Sequence, residues 1–319
     1  MLKNKFAVVL LNLGGPDSLN AIQPFLYNLF SDPDIFKIPF GQEYFAKIIS
    51  KSRAPKVAEE YKLIGGNSPI NKWTEVQRVL LEDELSKTSA SINVFTAMRY
   101  WKPSIKETAA IIEKKNYDKI ILLPLYPHYS ITTTGSSFNE WNRHYKDDEL
   151  KLIYIKNYFT HRKYIDALNK RIDETLLRFP EDVRNNVQLV FSAHGTPISL
   201  VKKGDPYSDQ ISETVREVLI ERNYSHQHYL CYQSKVGPMK WLEPSTESMI
   251  KELSVKGHKH LLIIPISFVS DHVETLFELD IEYRHIAEEV GIENYFVMTG
   301  LNDSPIFIEA LKELVLEHL

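Results

Sequence analysis

The sequence is punctuated by short, almost unbroken apolar runs that end in turn residues: FAVVLLNLGG (6–15), INVFTAM (92–98), KIILLPLYP (119–127), VQLVFSAHG (187–195), HYLCYQ (228–233) and HLLIIPISFV (260–269). Each is too short to cross a bilayer, and each is apolar at successive positions rather than alternate ones. That pattern belongs to strands buried on both faces. Between them lie amphipathic, helix-length stretches at 102–116, 162–179, 208–222 and 246–256. Strand followed by helix, repeated, specifies an α/β fold of mostly parallel sheets covered by helices.

An internal duplication narrows this further. YDKIILLPLYPHYS and HKHLLIIPISFVSD each carry an apolar strand with a proline inside it, followed by a serine-containing polar turn, and each closes a block of strands. The chain therefore reads as two similar α/β lobes, residues 1–155 and 156–319, with a crevice between them as the expected site. The second lobe carries His194 and Glu274.

The bulk properties remove several classes of function. A formal charge of -4 and no long Lys/Arg run argue against a nucleic-acid partner. The single cysteine, Cys231, supports neither an intramolecular disulfide nor a four-thiolate cluster, and points to the cytoplasm. The N-terminal MLKNKFAVVLLNLGG runs straight into a Gly-Gly-Pro turn with no cleavage site of small residues. No apolar stretch approaches the roughly 20 residues of a membrane span.

Two constellations can carry chemistry. In SFVSDHVETLFELDIEYRHIAEE (267–289), Glu274, Glu278 and Glu282 recur every fourth residue, with Asp271 and His272 before them. On a helix this makes one acidic stripe, which repels itself by a few tenths of a kcal/mol per pair. A divalent cation would offset that repulsion; a merely solvated acidic face is the alternative. Its position directly after a buried strand favours a site. In FSAHGTP, His194 ends another buried strand among small residues that leave the imidazole accessible. Imidazole with carboxylates suits passing Fe(II) without trapping it.

Other chemistries lack their signatures. Neither Ser192 nor Ser270 sits in a G-x-S-x-G elbow, and LNLGGPDS lacks dinucleotide-site glycine spacing. The segment IQPFLYNLFSDPDIFKIPF (22–40), interrupted by Pro24, Pro33 and Pro39, suits a helix and loop packed on the core, a greasy lid for a flat ligand or a membrane-facing lip.

Taken together, LLNLGGPDS, RAPKVAEEYKLIGGNSPI, AMRYWKP, LPLYPHYSITTTGSS, FSAHGTP, CYQSKVGPMKWLEPST and FVSDHVETLFELDIEY resemble, in order and over essentially the whole chain, the ferrochelatases. The resemblance implies two flavodoxin-like lobes with a porphyrin cleft, and the insertion of ferrous iron into protoporphyrin IX with release of two protons. The L-N-L-G-G-P start is similar to the branch that uses protoporphyrin rather than coproporphyrin. Porphyrin and Fe(II) would be substrates, with no tightly bound cofactor and no iron-sulfur cluster. A chelatase for another tetrapyrrole or metal, or a non-catalytic haem carrier, is the competing reading.

Residue by residue, the resemblance makes His194 and Glu274 the central catalytic pair. It extends a line of metal-handling carboxylates through Glu278 to Glu282. It assigns Arg53, Tyr61 and Ser68 to the porphyrin edge or its propionates, and Leu13, Tyr126 and Trp241 to the cleft walls. Arg99 reads as an internal structural pair. His128 stands where many relatives have glutamine. Whether His194 accepts a proton or ligates metal is open at this level, as are peripheral membrane contact and oligomeric state.

Overall fold

In the computed structural model, residues 5–36, 38, 40–88, 90–234 and 239–319 are described. The chain divides into two units, residues 1–157 with 302–319, and residues 158–301.

The first unit holds a four-stranded parallel sheet of β1 (Lys5–Asn12), β2 (Ser91–Met98), β3 (Lys119–Pro124) and β4 (Leu152–Tyr154), in the order β2-β1-β3-β4. The second repeats that order with β5 (Gln188–His194), β6 (His228–Gln233), β7 (His260–Pro265) and β8 (Asn294–Val297), arranged β6-β5-β7-β8. The duplication read from two strand-turn segments thus extends to the topology. The prolines that looked internal end their strands, Pro124 in β3 and Pro265 in β7. Without an N–H, proline cannot donate to a continuing ladder.

The central strands account for the unbroken apolar runs. Ala7 to Leu11 in β1 are fully buried, as are Leu189 to Phe191 in β5, because helices cover both faces of each sheet. In the first unit, helix Ile105–Lys115 starts with a capping box, Ser104 Oγ accepting from the Glu107 N–H while the Glu107 carboxylate accepts from the Ser104 N–H. It lays Ile105, Ala109 and Ile112 on the sheet beside Trp141. In the second unit, Met249, Ile250 and Leu253 of helix Thr246–Val255 do the same.

The chain's end departs from the expected division. Helix Pro305–Leu316, assigned from sequence to the second lobe, belongs to the first unit. Its Lys312 Nζ lies 3.0 Å from Glu84, and Gln77 Nε2 donates to the Asn302 carbonyl at 2.8 Å. An apolar stripe shows that a helix packs, not which sheet it packs on.

Segment 22–40 resolves into helix Ile22–Phe30, with Ile22, Phe25, Leu26 and Phe30 buried, so its first half is core. Phe30 then meets Phe36 and Phe45 at ring-centroid distances of 5.3 and 6.4 Å. Pro39 lies outside the described residues. Exposure resumes at Phe40, Tyr44 and Ile48, the last two in helix Gln42–Leu63.

Candidate active site

Each sheet changes winding direction beside its central strand, between β1 and β3 and between β5 and β7. In parallel α/β sheets, groups leaving the carboxyl ends of strands at that point share a crevice. In the second unit those groups are His194, the last residue of β5, and the segment that follows β7.

His194 Nδ1 lies 2.8 Å from Glu274 Oε2 across eighty positions of sequence. A carboxylate only accepts, so Nδ1 carries the proton and Nε2 is left with its lone pair. The imidazole is 39% exposed and Glu274 23%, so the ring is reachable while its partner is sheltered. The histidine's backbone is fixed on both sides, its N–H donating to Ser267 Oγ at 2.9 Å and its carbonyl accepting from the Tyr207 hydroxyl at 3.1 Å. Phe268 stands edge-on to the ring, with His272 beyond it.

Gly195 lets β5 come close to β6. A Cβ there would lie 2.6 Å from the Gln233 carbonyl oxygen and 3.4 Å from the Trp241 ring. Only glycine permits that approach without moving backbone.

The segment after β7 is a π-helix, Glu274–Glu282, and not the α-helix that four-residue spacing suggested. Its i→i+5 bonding widens the turn, a rare form that is frequent at functional sites. The first unit opens the corresponding turn the same way, at Ile131–Gly135. With just over four residues per turn, Glu274 and Glu278 stay on one side, and both reach Ser234 at the end of β6. The Ser234 hydroxyl is 3.0 Å from Glu274 Oε2 and 2.5 Å from Glu278 Oε2, and its N–H donates to Glu278 Oε1 at 2.8 Å. Tyr283 donates to the same Oε1 at 2.9 Å, and Gln233 Nε2 to Glu274 Oε2 at 3.3 Å. Glu282 lies exposed at the far end of the segment. Asp271 is turned inward, accepting from Thr275 Oγ1 and the Gly300 N–H. Among the described residues, no group of three or more His, Cys, Asp or Glu side chains converges in metal-holding geometry.

The electrostatics separate these groups. Burial works against the charged form of His194, but the charge and hydrogen bond of Glu274, with Glu278 behind it, hold the imidazole above its ordinary value. Burial opposes the Glu274 carboxylate too, and His194, His272 and Ser234 outweigh it and keep the group below the usual range. For Glu278, burial and then the charge of Glu274 push the carboxyl up. Burial lowers His272, whose Nδ1 lies 3.1 Å from the Ser270 carbonyl.

Among the other residues singled out in the sequence, Leu13 and Tyr126 follow the carboxyl ends of β1 and β3 and are half-buried. Trp241, also half-buried, pairs through its backbone with Pro197, three residues after His194. Arg53 lies on helix Gln42–Leu63 with its guanidinium 5.7 Å from the Phe30 ring centre. Tyr61 and Ser68 are buried, and Ser68 fills the space a Cβ on Gly15 would need. Arg99 is internal, 2.9 Å from the fully buried Asp32. His128 is buried and held neutral, its value driven by burial down to about 3.

Sequence reading missed Ser234, Gln233, Tyr207 and Tyr283. The signal available for Ser234 was its place directly after a buried strand, the same reasoning that found His194. The four residues after it, 235–238 in the CYQSKVGPMKWLEPST stretch, lie outside the described residues.

Comparison with known proteins agrees with this architecture. Structures of SirB from Bacillus subtilis with Fe3+ and of CbiX match with TM-scores of 0.57 and 0.50, at 13% and 11% identity, covering 98% and 99% of this chain and 95% and 100% of theirs. At those identities the likeness is one of fold. The profile described as Ferrochelatase matches residues 5–319. Proteins named ferrochelatase from Citrifermentans bemidjiense and Aquifex aeolicus are 47% and 48% identical, each over 98% of this chain and 98% of its own length. A match of that extent, with the motif residues gathered at the strand ends, shows that the chain belongs to the ferrochelatase family.

Proposed function

We propose that this protein inserts ferrous iron into protoporphyrin IX, with His194 taking the pyrrole protons that the entering metal displaces. Family membership supports iron insertion into a porphyrin. The observation that carries the role of His194 is its pairing at 2.8 Å with Glu274 through Nδ1, which leaves Nε2 as the accessible base.

Two N–H protons must leave the macrocycle while Fe(II) sheds water. Neutral His194 accepts a proton at Nε2, and the Glu274 carboxylate stabilises the imidazolium that forms and keeps the ring oriented. The proton then passes from the pair toward Glu278, which is half-buried and reaches solvent. The acidic segment through Glu282 is proposed to draw the hydrated cation inward by its charge. For the macrocycle, Leu13, Tyr126 and Trp241 offer apolar faces, and Arg53 a planar fork for a propionate. Tyr61 and Ser68, being buried, serve this reading as supports of the porphyrin-side backbone. A cleft that holds the ring non-planar would expose the nitrogen lone pairs, using binding contacts remote from the reacting centre.

Phe40, Tyr44 and Ile48 are 93%, 72% and 52% exposed, and Lys47 and Lys51 lie exposed beside them. This combination supports peripheral contact with an anionic membrane surface. No described helix is long and apolar enough to cross a membrane.

The test is anaerobic turnover of Fe(II) with protoporphyrin IX and, in parallel, coproporphyrin III. His194→Ala is expected to lose about 10²–10⁴-fold in kcat, with part of the rate returning as pH rises. Inactivity that is flat with pH would refute the proton-accepting role. Preference for coproporphyrin III would overturn the substrate.

A further inference from the structure

The amino edge of the second sheet, opposite the edge that carries His194, holds a cavity of about 850 Å³ that the iron chemistry does not use. Small-molecule sites span about 300–1,000 Å³. Two short repeats meet there, His226-Gln227-His228 leading into β6 and His258-Lys259-His260 leading into β7, so that four of the chain's eleven histidines line one space. Among the described residues no Asp or Glu lines it, although the chain as a whole carries a formal charge of -4.

The existing hydrogen bonds show what each polar group can still do. His226 is fully occupied: Nε2 donates to the Arg184 carbonyl at 3.2 Å, so Nδ1 accepts from the Ser225 hydroxyl at 2.9 Å. His260 Nδ1 accepts from Asn294 Nδ2 at 2.9 Å, which puts the imidazole proton on Nε2. Lys259 Nζ donates to the Gly291 carbonyl at 2.9 Å and keeps two further protons and its charge. With His228 and His258 they make a wall of donors. The wall suits a cation poorly, because no three of its imidazoles converge in metal-holding geometry and Lys259 repels a positive charge.

Gln188, the first residue of β5, has the opposite need. It is 5% exposed, and its Nε2 donates to the Asn186 carbonyl at 2.8 Å, which fixes the orientation of the amide. Its Oε1 finds no hydrogen-bond partner among the described residues. A buried acceptor in that state is costly unless something donates to it. A simple anion would satisfy the wall and leave Gln188 unpaired. A ligand that joins phosphate oxygens to hydroxyl or amino donors would satisfy both, and the rings of Tyr224 and Tyr229 offer it flat surface.

We propose that this cavity is a second binding site, for a ligand of the nucleotide class: its phosphates lie against Lys259 and the N–H groups of His228, His258 and His260, and a donor of its nucleoside reaches Gln188 Oε1. The site stands apart from the chemistry at His194, which ends the strand that Gln188 begins.

Isothermal titration calorimetry of the full chain, without iron or porphyrin, would compare ADP, pyrophosphate, adenosine and Zn2+. The expected result is saturable binding of one ADP, with pyrophosphate and adenosine each weaker by about tenfold or more. The double variant His228→Ala/His258→Ala is expected to weaken ADP and pyrophosphate alike by about tenfold or more, and Gln188→Leu to weaken ADP about tenfold while leaving pyrophosphate within about twofold of the parent. The double variant replaces partly exposed side chains, so its iron-insertion rate should stay within about twofold of the parent, which shows that the fold is kept. Absence of saturable ADP binding at millimolar concentration would overturn the proposal, as would ADP binding that the double variant leaves within about twofold, since the ligand then sits elsewhere. Pyrophosphate bound as tightly as ADP would overturn the nucleoside contact with Gln188, and Zn2+ bound where ADP is not would overturn the ligand class.

Discussion

Replacing Gly195 by alanine perturbs the site at the point where β5 and β6 come nearest. The new Cβ would sit 2.6 Å from the Gln233 carbonyl oxygen, about 0.4 Å inside the 3.0 Å below which real Cβ contacts essentially do not occur. That oxygen belongs to backbone in a parallel ladder and accepts the Gly195 N–H at 2.8 Å, so no side-chain rotation relieves the contact. The strand ends must part, and Gln233 and Ser234 move with them, away from Glu274. Overpacking of this kind costs about 1–3 kcal/mol, which for a unit of this size lowers Tm by about 2–10 °C. A displacement of roughly 1 Å in a catalytic group can cost about a hundredfold, so this smaller shift is expected to reduce kcat about three- to tenfold. Differential scanning calorimetry and anaerobic turnover of the same preparation measure both. A variant with unchanged Tm and kcat would refute the argument that this approach fixes the site.

Glu274→Gln removes the largest influence holding His194 above its ordinary value. A raised imidazole is a base only above its raised value, so the acid limb of kcat/KM should move to lower pH in the variant, while the plateau falls about tenfold as a charge-assisted hydrogen bond, partly screened at the exposed ring, is lost. Added to His194→Ala it should cost little more, and additive losses would show that the two act separately. Asp32→Ala leaves Arg99, whose side chain is only 8% exposed, without its 2.9 Å partner; urea unfolding should report a loss of about 3–5 kcal/mol, and a loss below about 1 would refute a buried-pair role. The Cys231 thiol is buried and pushed up to about 12 by that burial, so a thiol reagent at pH 8 should label the protein rapidly only after denaturation.

Much of the fold was legible because it rests on local periodicity. Every apolar run read as a strand contains one, and the repeated strand-turn segments pointed to two units with one topology. What escaped were the short strands β4 and β8, of three and four residues, which are edge strands with too few positions to show a pattern. The helices Gln42–Leu63 and Ile70–Ser86 also went unread, the first because Pro55 lies inside it.

The sequence by itself determined that His194 ends one buried strand and that Glu274 comes after another, because an apolar run ending in small or polar residues delivers those residues to the sheet's carboxyl edge. It also supplied the motif order that the family match bears out. Only the tertiary structure decided that Nδ1 of His194 and Oε2 of Glu274 are 2.8 Å apart, that the acidic segment winds as a π-helix, and that Ser234 joins two of its carboxyl groups. It also placed helix Pro305–Leu316 in the first unit. These depend on which strands lie side by side and on how burial and neighbouring charge divide protons among groups forty to eighty residues apart, and pairings of that kind leave no period in the sequence.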